Sequence, residues 1–443
     1  MRLMTNTVTR WMLAAALCCV SALASAAGHE IVGYYPGWAA ANPTPFVVNG
    51  TNIAASRLTV INYAFLDICW DGQHGNASPA ADGALKPCRD RAGKPIKPPD
   101  GAIVLGDPTL DVVNLRQLVK LKATHPQLKL MASVGGWNWS NQFSNMAASE
   151  ATRSNFVDSA VAFVRAYRFD GIDLDWEFPT AIGLPCVAGA VCQRPEDKQN
   201  YVLLIDALRW ALDLAGQKDH KRYLVTIAAG AGTNHVMDAS GSSAWLVALA
   251  KSVDWINIMA YDYHGPWDTN SGLLAPLFVD ANDSSPTAST FNADASVKLF
   301  LDQGIAPNKL VLGLPFYGYG WAGCAPGPNA DALYQPCSGA AVGSKGANFD
   351  HAFLVDAGYL TKDTNGAYSV GGKGFIRHWN AAAKVPYLYN ADSKVFISYE
   401  DEASVHEKAI YIQGKGLRGA MFWELNADRH KILGRVLAKD LPH

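Results

Sequence analysis

The chain has almost no net charge. Its 443 residues include 37 Lys and Arg against 39 Asp and Glu, which gives a formal net charge of −2. Proteins whose main partner is nucleic acid usually carry a strongly basic patch, so we expect no such partner. The composition, 49% hydrophobic and 17% charged, is that of a globular protein with ample material for a core.

Long hydrophobic runs are also missing, except near the N-terminus. There, residues 11–20 are apolar but too short to span a bilayer comfortably. Arg2 and Arg10 supply positive charge, and Ala-Ser-Ala at 24–26 is a small-x-small cleavage site. These features predict a signal peptide over residues 1–26. We expect a secreted protein, extracellular or periplasmic, with no membrane segment after cleavage.

Clusters of Cys and His with zinc-binding spacing are absent from the sequence. Cys18 and Cys19 lie in the N-terminal segment, where the bulky Leu17 disfavours a lipoprotein anchor. In an oxidising compartment the simplest connectivity of the other six cysteines joins sequence neighbours, although other pairings are possible. The predicted disulfides, each bracing one loop, are Cys69–Cys88, Cys186–Cys192 and Cys324–Cys337.

A glycine-rich phosphate-binding fingerprint is missing after the first predicted strand, which disfavours a doubly wound open sheet, the alternative fold. Eight apolar strand-like runs recur instead, separated by amphipathic helical stretches. Near-continuous apolar character is typical of parallel strands buried on both faces. The pattern predicts an α/β fold, the TIM (β/α)8 barrel, spanning 27–443. The predicted strands are 31–35, 58–65, 128–135, 171–177, 224–229, 255–261, 309–316 and 419–425. The predicted helices include 112–124, 149–167, 195–215, 244–251 and 293–303.

Two stretches are too long for ordinary barrel loops. Residues 69–107 are rich in Pro, Gly and Lys, and they predict a disulfide-pinned loop. Residues 318–398, between the seventh and eighth strands, contain short alternating pieces and two Gly-rich turns. They predict a small α+β insertion on the barrel rim. No internal repeat, linker or second module is evident.

Four carboxylates lie within the eight residues from Asp170 to Glu177, in the run FDGIDLDWEFP. Strand alternation would place Asp173, Asp175 and Glu177 on one face. Like charges on one face repel, and neighbouring carboxylates that cannot all ionise share protons, so one of them can stay a protonated acid near neutral pH. A calcium loop is the alternative, but it would have a flexible Gly- and Asn-containing turn instead of bulky apolar spacers. The run predicts acid–base catalysis at the C-terminal rim of the barrel.

This run resembles the Asp-x-x-Asp-x-Asp-x-Glu signature of the family 18 glycoside hydrolases, the chitinases; all four acids and Gly171 match. SVGGW at 133–137 resembles the family's Ser-x-Gly-Gly motif, and MAYDYHGPW at 259–267 resembles its Met-x-Tyr-Asp motif. The resemblance covers most of the chain. It implies a bacterial-type, deep-groove member with a rim insertion that acts on chitin or chito-oligosaccharide. It implies no cofactor and no metal, and we expect a monomer.

The resemblance also implies a retaining, substrate-assisted mechanism, in which the C2 acetamido oxygen of the substrate attacks the anomeric carbon. Glu177 would protonate the leaving oxygen and later activate water. Asp175 would orient the acetamide, Asp173 would share a proton with Asp175, and Tyr261 would hold the acetamido carbonyl. Expected substrate contacts are Met259, Asp262, Trp423, Trp137, Trp267, Tyr34, Phe65 and Tyr319, with Trp137 and Trp267 on the leaving-group side. Expected supporting residues are Asp170, Ser133, Gly135 and Gly136.

One departure and two alternative functions follow from the same residues. Tyr319 stands where many relatives have an Arg that reaches the substrate. A non-catalytic chitin-binding lectin is disfavoured because such relatives usually lack the terminal acid, which is present here as Glu177. An endo-N-acetylglucosaminidase acting on glycoprotein glycans or cell wall would use identical chemistry. The rim insertion, which should deepen a groove for a linear chain, favours an endo-acting chitinase.

Overall fold

Eight parallel strands close into a barrel, each strand pairing with the next along the chain and the last with the first. The computed structural model describes residues 28–81 and 84–443, so the predicted signal peptide lies outside the described residues. The TIM-barrel prediction is confirmed. The strands are β1 (Glu30–Pro36), β2 (Val60–Ile68), β3 (Lys129–Gly135), β4 (Gly171–Asp175), β5 (Leu224–Gly230), β6 (Trp255–Met259), β7 (Leu310–Pro315) and β8 (Gly419–Trp423).

The barrel strands are apolar on both faces because both faces are covered. All nine residues of β2 are buried. Ile61 and Tyr63 point outward into the core shared with the helices, whereas Val60 and Ala64 belong to a separate cluster with Tyr34 inside the barrel. This period-two division follows from strand geometry, and it places every second residue of β4 in the barrel interior.

In the described part of the chain, seven longer helices surround the barrel: α1 (Pro108–Thr124), α2 (Glu150–Tyr167), α3 (Asp197–Asp219), α4 (Ala244–Ser252), α5 (Ala293–Asp302), α6 (Glu402–Lys415) and α7 (Leu433–Asp440). The first starts four residues earlier than predicted. Asp107 accepts a hydrogen bond from the Thr109 backbone N–H at 2.9 Å, and Pro108 occupies the first helical position, where a missing N–H costs nothing. This capping signal was overlooked in the sequence.

A second, antiparallel sheet lies between β7 and β8. Its strands are Tyr317–Ala322, Gly339–Ala340, Asn348–Asp350, Ile376–Asn380, Val385–Asn390 and Val395–Ser398, with the short helix His351–Asp356 beside them. Residues 69–81 and 84–107 contain more regular structure than the predicted loop. Gln73–His74 pairs with Lys86–Pro87, and Ile103–Leu105 pairs antiparallel with β2. Disulfides join Cys69 to Cys88, Cys186 to Cys192 and Cys324 to Cys337, the same pairs that were expected.

Three of the barrel strands end two residues earlier than predicted. β4 stops at Asp175, β6 at Met259 and β8 at Trp423, so Glu177 and Tyr261 lie in rim loops. Just beyond the end of β4, a hydrogen bond to a side chain takes the place of strand pairing: the Glu177 N–H donates to Ser140 Oγ at 2.8 Å. Strand patterning alone could not show this hydroxyl.

Candidate active site

Asp173 lies in the barrel interior and is surrounded by hydrogen-bond donors. Its Oδ2 accepts from the Tyr34 and Ser133 hydroxyls, both at 2.8 Å. Its Oδ1 accepts from the Thr226 hydroxyl at 2.5 Å and, at 3.4 Å, from Asn257 Nδ2. Complete burial raises the pKa of Asp173, and these four donors oppose the shift. The carboxyl is therefore held rigidly by strands β1, β3, β5 and β6.

Asp175 ends β4, two residues further along the same interior face. It is 4% exposed, and its Oδ1 has no hydrogen-bond partner within the described chain. Burial, with the nearby charges of Glu177 and Asp173, raises its pKa well above the ordinary value. Gly135 allows β3 to approach, because its φ is +106° and a Cβ there would lie 2.4 Å from the Asp175 backbone oxygen. The result is a buried acceptor with one oxygen free for a ligand.

Glu177 lies just beyond the strand and is partly exposed. Burial, and then the charge of Asp262, raises the pKa of Glu177 to about 8. A carboxyl with such a pKa is mostly protonated at neutral pH and can donate a proton. In the part of the chain that the structure describes, none of Asp173, Asp175, Glu177 and Asp262 forms an ion pair with a cationic side chain.

Tyr261 and Asp262 follow β6 on the same rim. Burial raises the pKa of Tyr261 well above its usual value, so its hydroxyl stays a donor; its hydrogen-bond contact in the described chain is Met421 Sδ at 4.0 Å. Asp262 adopts φ +57° and accepts a hydrogen bond from Tyr317 Oη at 2.6 Å. Burial raises the pKa of Asp262 to about 6. The hydrogen bond from Tyr317 therefore orients Asp262, and it opposes the rise in the pKa of Asp262.

An aromatic cluster lines the rim between β8 and β2. Trp423 stacks on Phe65 with ring centroids 5.7 Å apart and an interplanar angle of 13°. Trp38, 41% exposed, lies 6.3 Å from both of these rings. Gly136 makes room for the cluster, because a Cβ there would lie 2.4 Å from the Phe65 ring. The half-buried indole of Trp423, supported from below, is a platform for the apolar face of a sugar ring.

Two further tryptophans project from the rim. Trp137 is 48% exposed and its ring rests on Gly183, in the loop braced by the Cys186–Cys192 disulfide. Trp267 is 60% exposed and meets Tyr319 edge to face at 5.2 Å. Tyr319 belongs to the second sheet, so this pair joins the loop after β6 to that sheet. Met259 packs with Tyr34 and Trp423 inside the rim.

The structure places two of the expected residues, the supporting Asp170 and the expected substrate contact Tyr34, away from the open rim. Asp170 precedes β4 and lies at the opposite, N-terminal end of the strand, about 16 Å along the backbone from Asp175; it accepts from Lys122, from Lys221 at 3.2 Å, and from the Leu130 N–H at 2.8 Å. Tyr34 is 2% exposed and its hydroxyl is committed to Asp173. Tyr34 was expected to contact substrate, but it supports Asp173 instead.

Four residues of the site were not identified from the sequence. Thr226 and Asn257 are the lone polar side chains in the apolar runs LVTIAAG and WINIM, and this pattern could have been noticed. Ser140 lies in a loop and Tyr317 in the second sheet. The sequence around each of them carries no pattern that distinguishes it. Within residues 28–81 and 84–443 no group of three His, Cys, Asp or Glu is placed to hold a metal ion. None of the helices described is long and apolar enough to cross a membrane.

The site therefore combines a protonated rim acid, a buried carboxyl with a free oxygen, a phenol donor and an aromatic platform. It suits a neutral substrate with a sugar-like ring and a polar group beside the reacting carbon. Asp173 is not available as a protein nucleophile, because four donors engage its two carboxyl oxygens.

Comparison with known proteins identifies relatives of this chain. The chain is 46% identical to Chitinase A1 of Niallia circulans over 94% of its own length and spans 59% of that relative. Among solved structures it is similar to Chitinase ChiA74 from Bacillus thuringiensis, with a TM-score of 0.81, 39% identity, and 94% and 70% of the two chains covered. It is also similar to a family 18 N-acetylglucosaminidase from Paenibacillus barengoltzii, with a TM-score of 0.71, 30% identity, and 93% and 100% covered. The family model described as glycosyl hydrolases family 18 matches residues 30–428, and the chain belongs to that family.

Proposed function

We propose that this protein is a chitinase that hydrolyses β-1,4 linkages between N-acetylglucosamine units with retention of anomeric configuration. The observation that carries the proposal is the free Oδ1 of the buried Asp175 beside the protonated Glu177. An acceptor with no donor in a buried site is costly. An acetamido N–H would satisfy it and would place the acetamide against the reacting carbon.

The first chemical step forms one bond and breaks another. The acetamido oxygen attacks the anomeric carbon, the bond from this carbon to the glycosidic oxygen breaks, and the Glu177 proton passes to that oxygen. Positive charge develops on the acetamide, and Asp175 stabilises it. Tyr261 donates a hydrogen bond to the acetamido group and keeps it against the sugar.

The second step returns the enzyme to its starting state. The Glu177 carboxylate takes a proton from water, and the water oxygen bonds to the anomeric carbon as the acetamide detaches. Two displacements at one carbon give retention. Asp173, rigid among its four donors, shares a proton with Asp175 as charge on the acetamide rises and falls.

We also propose that the protein is exported from the cytoplasm. Three disulfides are expected in an oxidising compartment and are rare in the cytosol. This observation supports the signal peptide that the N-terminal sequence predicts.

Paired substrates test the mechanism. One is N-acetylglucosamine hexamer; its partner is the fully N-deacetylated hexamer, which retains every glycosidic bond but lacks the acetamide. We expect cleavage of the first alone, with β-anomers as the initial products seen by proton NMR. Equal cleavage of both substrates, or α-anomers as the initial products, would contradict substrate assistance.

One alternative is favoured by a specific observation. The chain is also similar to the Paenibacillus barengoltzii structure, which is described as an N-acetylglucosaminidase. The two candidate functions therefore differ in their substrate. The second sheet, with Tyr319 facing Trp267, would line a groove for a linear chain. Faster release of sugar from glycoprotein glycans than from chitin oligomers would reverse the assignment of substrate.

A further inference from the structure

A buried ion pair lies behind the rim and takes no part in the proposed chemistry. Lys408 on α6 bonds to Glu400, and both side chains are 1% exposed. Removing two charges from water costs at least as much as their attraction returns in many proteins, so such a pair is weak evidence for a contribution to stability. A role in positioning is the other explanation, and the remaining contacts of Lys408 identify what it would position.

The Lys408 ammonium also donates to the Ala275 backbone oxygen at 2.8 Å. Ala275 belongs to residues 273–277, which we call the support segment, part of the long connection between β6 and α5. The segment is held at two more points: the Leu274 N–H donates to Ser398 Oγ, and the Leu277 N–H donates to the Ala383 oxygen, both at 2.8 Å. Helix α6 and the second sheet thus fix its backbone.

The support segment in turn contacts the substrate side. Leu274 and Ala275 pack against Tyr317, with Tyr319 and Tyr261 beside them. The Leu274 oxygen accepts from the Tyr263 N–H at 3.1 Å, directly after Asp262. Tyr317 bonds Asp262, and Tyr319 meets Trp267. A shift of the segment would move the wall that Trp267 and Tyr319 form together.

We propose that the Glu400–Lys408 pair is a positioning device for this wall: through the support segment it fixes the Trp267–Tyr319 contact and thereby the affinity for sugar on the leaving-group side. The inference rests on the proposed function. The ammonium does not touch substrate, and its effect passes through a backbone carbonyl.

Two variants separate positioning from stability. Lys408→Met removes the donor to Ala275 but leaves Glu400 buried and unpaired, so it can lose stability as well. Glu400→Leu with Lys408→Met removes both charges and replaces them with apolar volume, which is the substitution that buried pairs tolerate best. Lys384→Met is the matched control: Lys384 pairs with Glu407 of the same helix at 3.5 Å and is partly exposed. Thermal denaturation verifies that each variant is folded.

Two substrates provide the readout. N-acetylglucosamine hexamer occupies the leaving-group side, whereas the 4-nitrophenyl glycoside of the dimer carries no sugar there. In the double variant we expect KM for the hexamer to rise at least fivefold, with kcat/KM for the nitrophenyl substrate within threefold of wild type and Lys384→Met unchanged on both. Equal losses on both substrates would show a merely structural role, and unchanged kinetics would remove any role; either result overturns the inference. A wild-type protein that cleaves neither substrate would overturn the proposed function itself, and this inference with it.

Discussion

Strand β4 carries carboxylates at both ends, and the two ends have opposite surroundings. At the N-terminal end, Asp170 is paired with the ammonium groups of Lys122 and Lys221. At the C-terminal end, Asp175 and Glu177 have each other, Asp173 and Asp262 as charged neighbours, and in the described chain no cation pairs with any of them. Carboxyl groups at the two ends of one strand thus have cationic neighbours at one end and like-charged neighbours at the other.

The difference distinguishes a carboxylate with a structural role from the carboxyl groups of the candidate active site. Through its two ion pairs, Asp170 ties the start of β4 to helix α1 and to the loop before β5. A carboxyl among like charges and away from water keeps a proton to give. The raised pKa at the C-terminal end is what the proposed acid catalysis near neutral pH requires.

The largest expected effect follows from replacing the rim acid. Glu177→Gln keeps the shape of the side chain but has no proton to transfer, and general acid–base catalysis contributes about 10²- to 10⁴-fold. We expect kcat for the N-acetylglucosamine hexamer to fall within this range. Calorimetric titration with the hexamer serves as the control and should show little change in affinity. A loss of less than tenfold would exclude Glu177 as the acid.

A smaller loss is expected at the buried carboxyl. Asp175→Asn cannot stabilise the positive charge that develops on the acetamide, and the removal of one such electrostatic contact typically lowers kcat on the order of 10²-fold. Because Asn fits the same space, stability should be retained. Steady-state rates with the hexamer test this, and a wild-type kcat would mean that the acetamide is oriented by another group.

Next in size is the effect of the neighbouring charge. Asp262→Asn removes a negative charge that raises the pKa of Glu177, so this pKa falls and the loss of activity on raising the pH begins at lower pH than in wild type. We expect about a tenfold or smaller change in kcat/KM at the optimum. Tyr317→Phe is the matched comparison, because it removes the 2.6 Å bond but keeps the carboxyl. A basic limb that does not move in Asp262→Asn would contradict the electrostatic coupling.

The smallest effect on turnover is expected at the other end of β4. Asp170→Asn leaves two ammonium groups without their shared partner, and the loss of charged hydrogen bonds costs about 1–3 kcal/mol of unfolding free energy. Turnover by the folded protein should stay within twofold of wild type. Urea denaturation measures the first quantity and hexamer hydrolysis the second. Asp71→Asn, which breaks an exposed pair with Lys97, is the control and should leave the unfolding free energy nearly unchanged. Equal costs for both variants would show that Asp170 has no special role.

The contrast between the two ends also marks what the sequence could reveal. The alternating run predicted the strand, and the eight apolar runs predicted the barrel, because period and burial are local properties. The position of Asp170 at the opposite end from Asp175 follows from the strand rise and could have been deduced. The engagement of Tyr34 with Asp173 could not, because the two residues are 139 positions apart.

Residues that act across long sequence distances were the ones missed. Tyr317 reaches Asp262 from the start of the second sheet, and Ser140 replaces the ladder at the end of β4. The end of β4 was placed two residues too far because an alternating sequence does not show where a loop hydroxyl takes over the backbone bond. Nothing in the sequence distinguishes Lys408, and only the fold places its ammonium against the support segment.

The protonation state of the rim acid is the most direct test of the contrast. The measurement is kcat/KM for the N-acetylglucosamine hexamer between pH 3 and pH 10. Because Glu177 must hold its proton to act and its pKa is raised to about 8, activity should persist through neutral pH and fall as the pH rises through about 8. A fall already complete by about pH 6, near the ordinary range of a glutamate, would contradict the account.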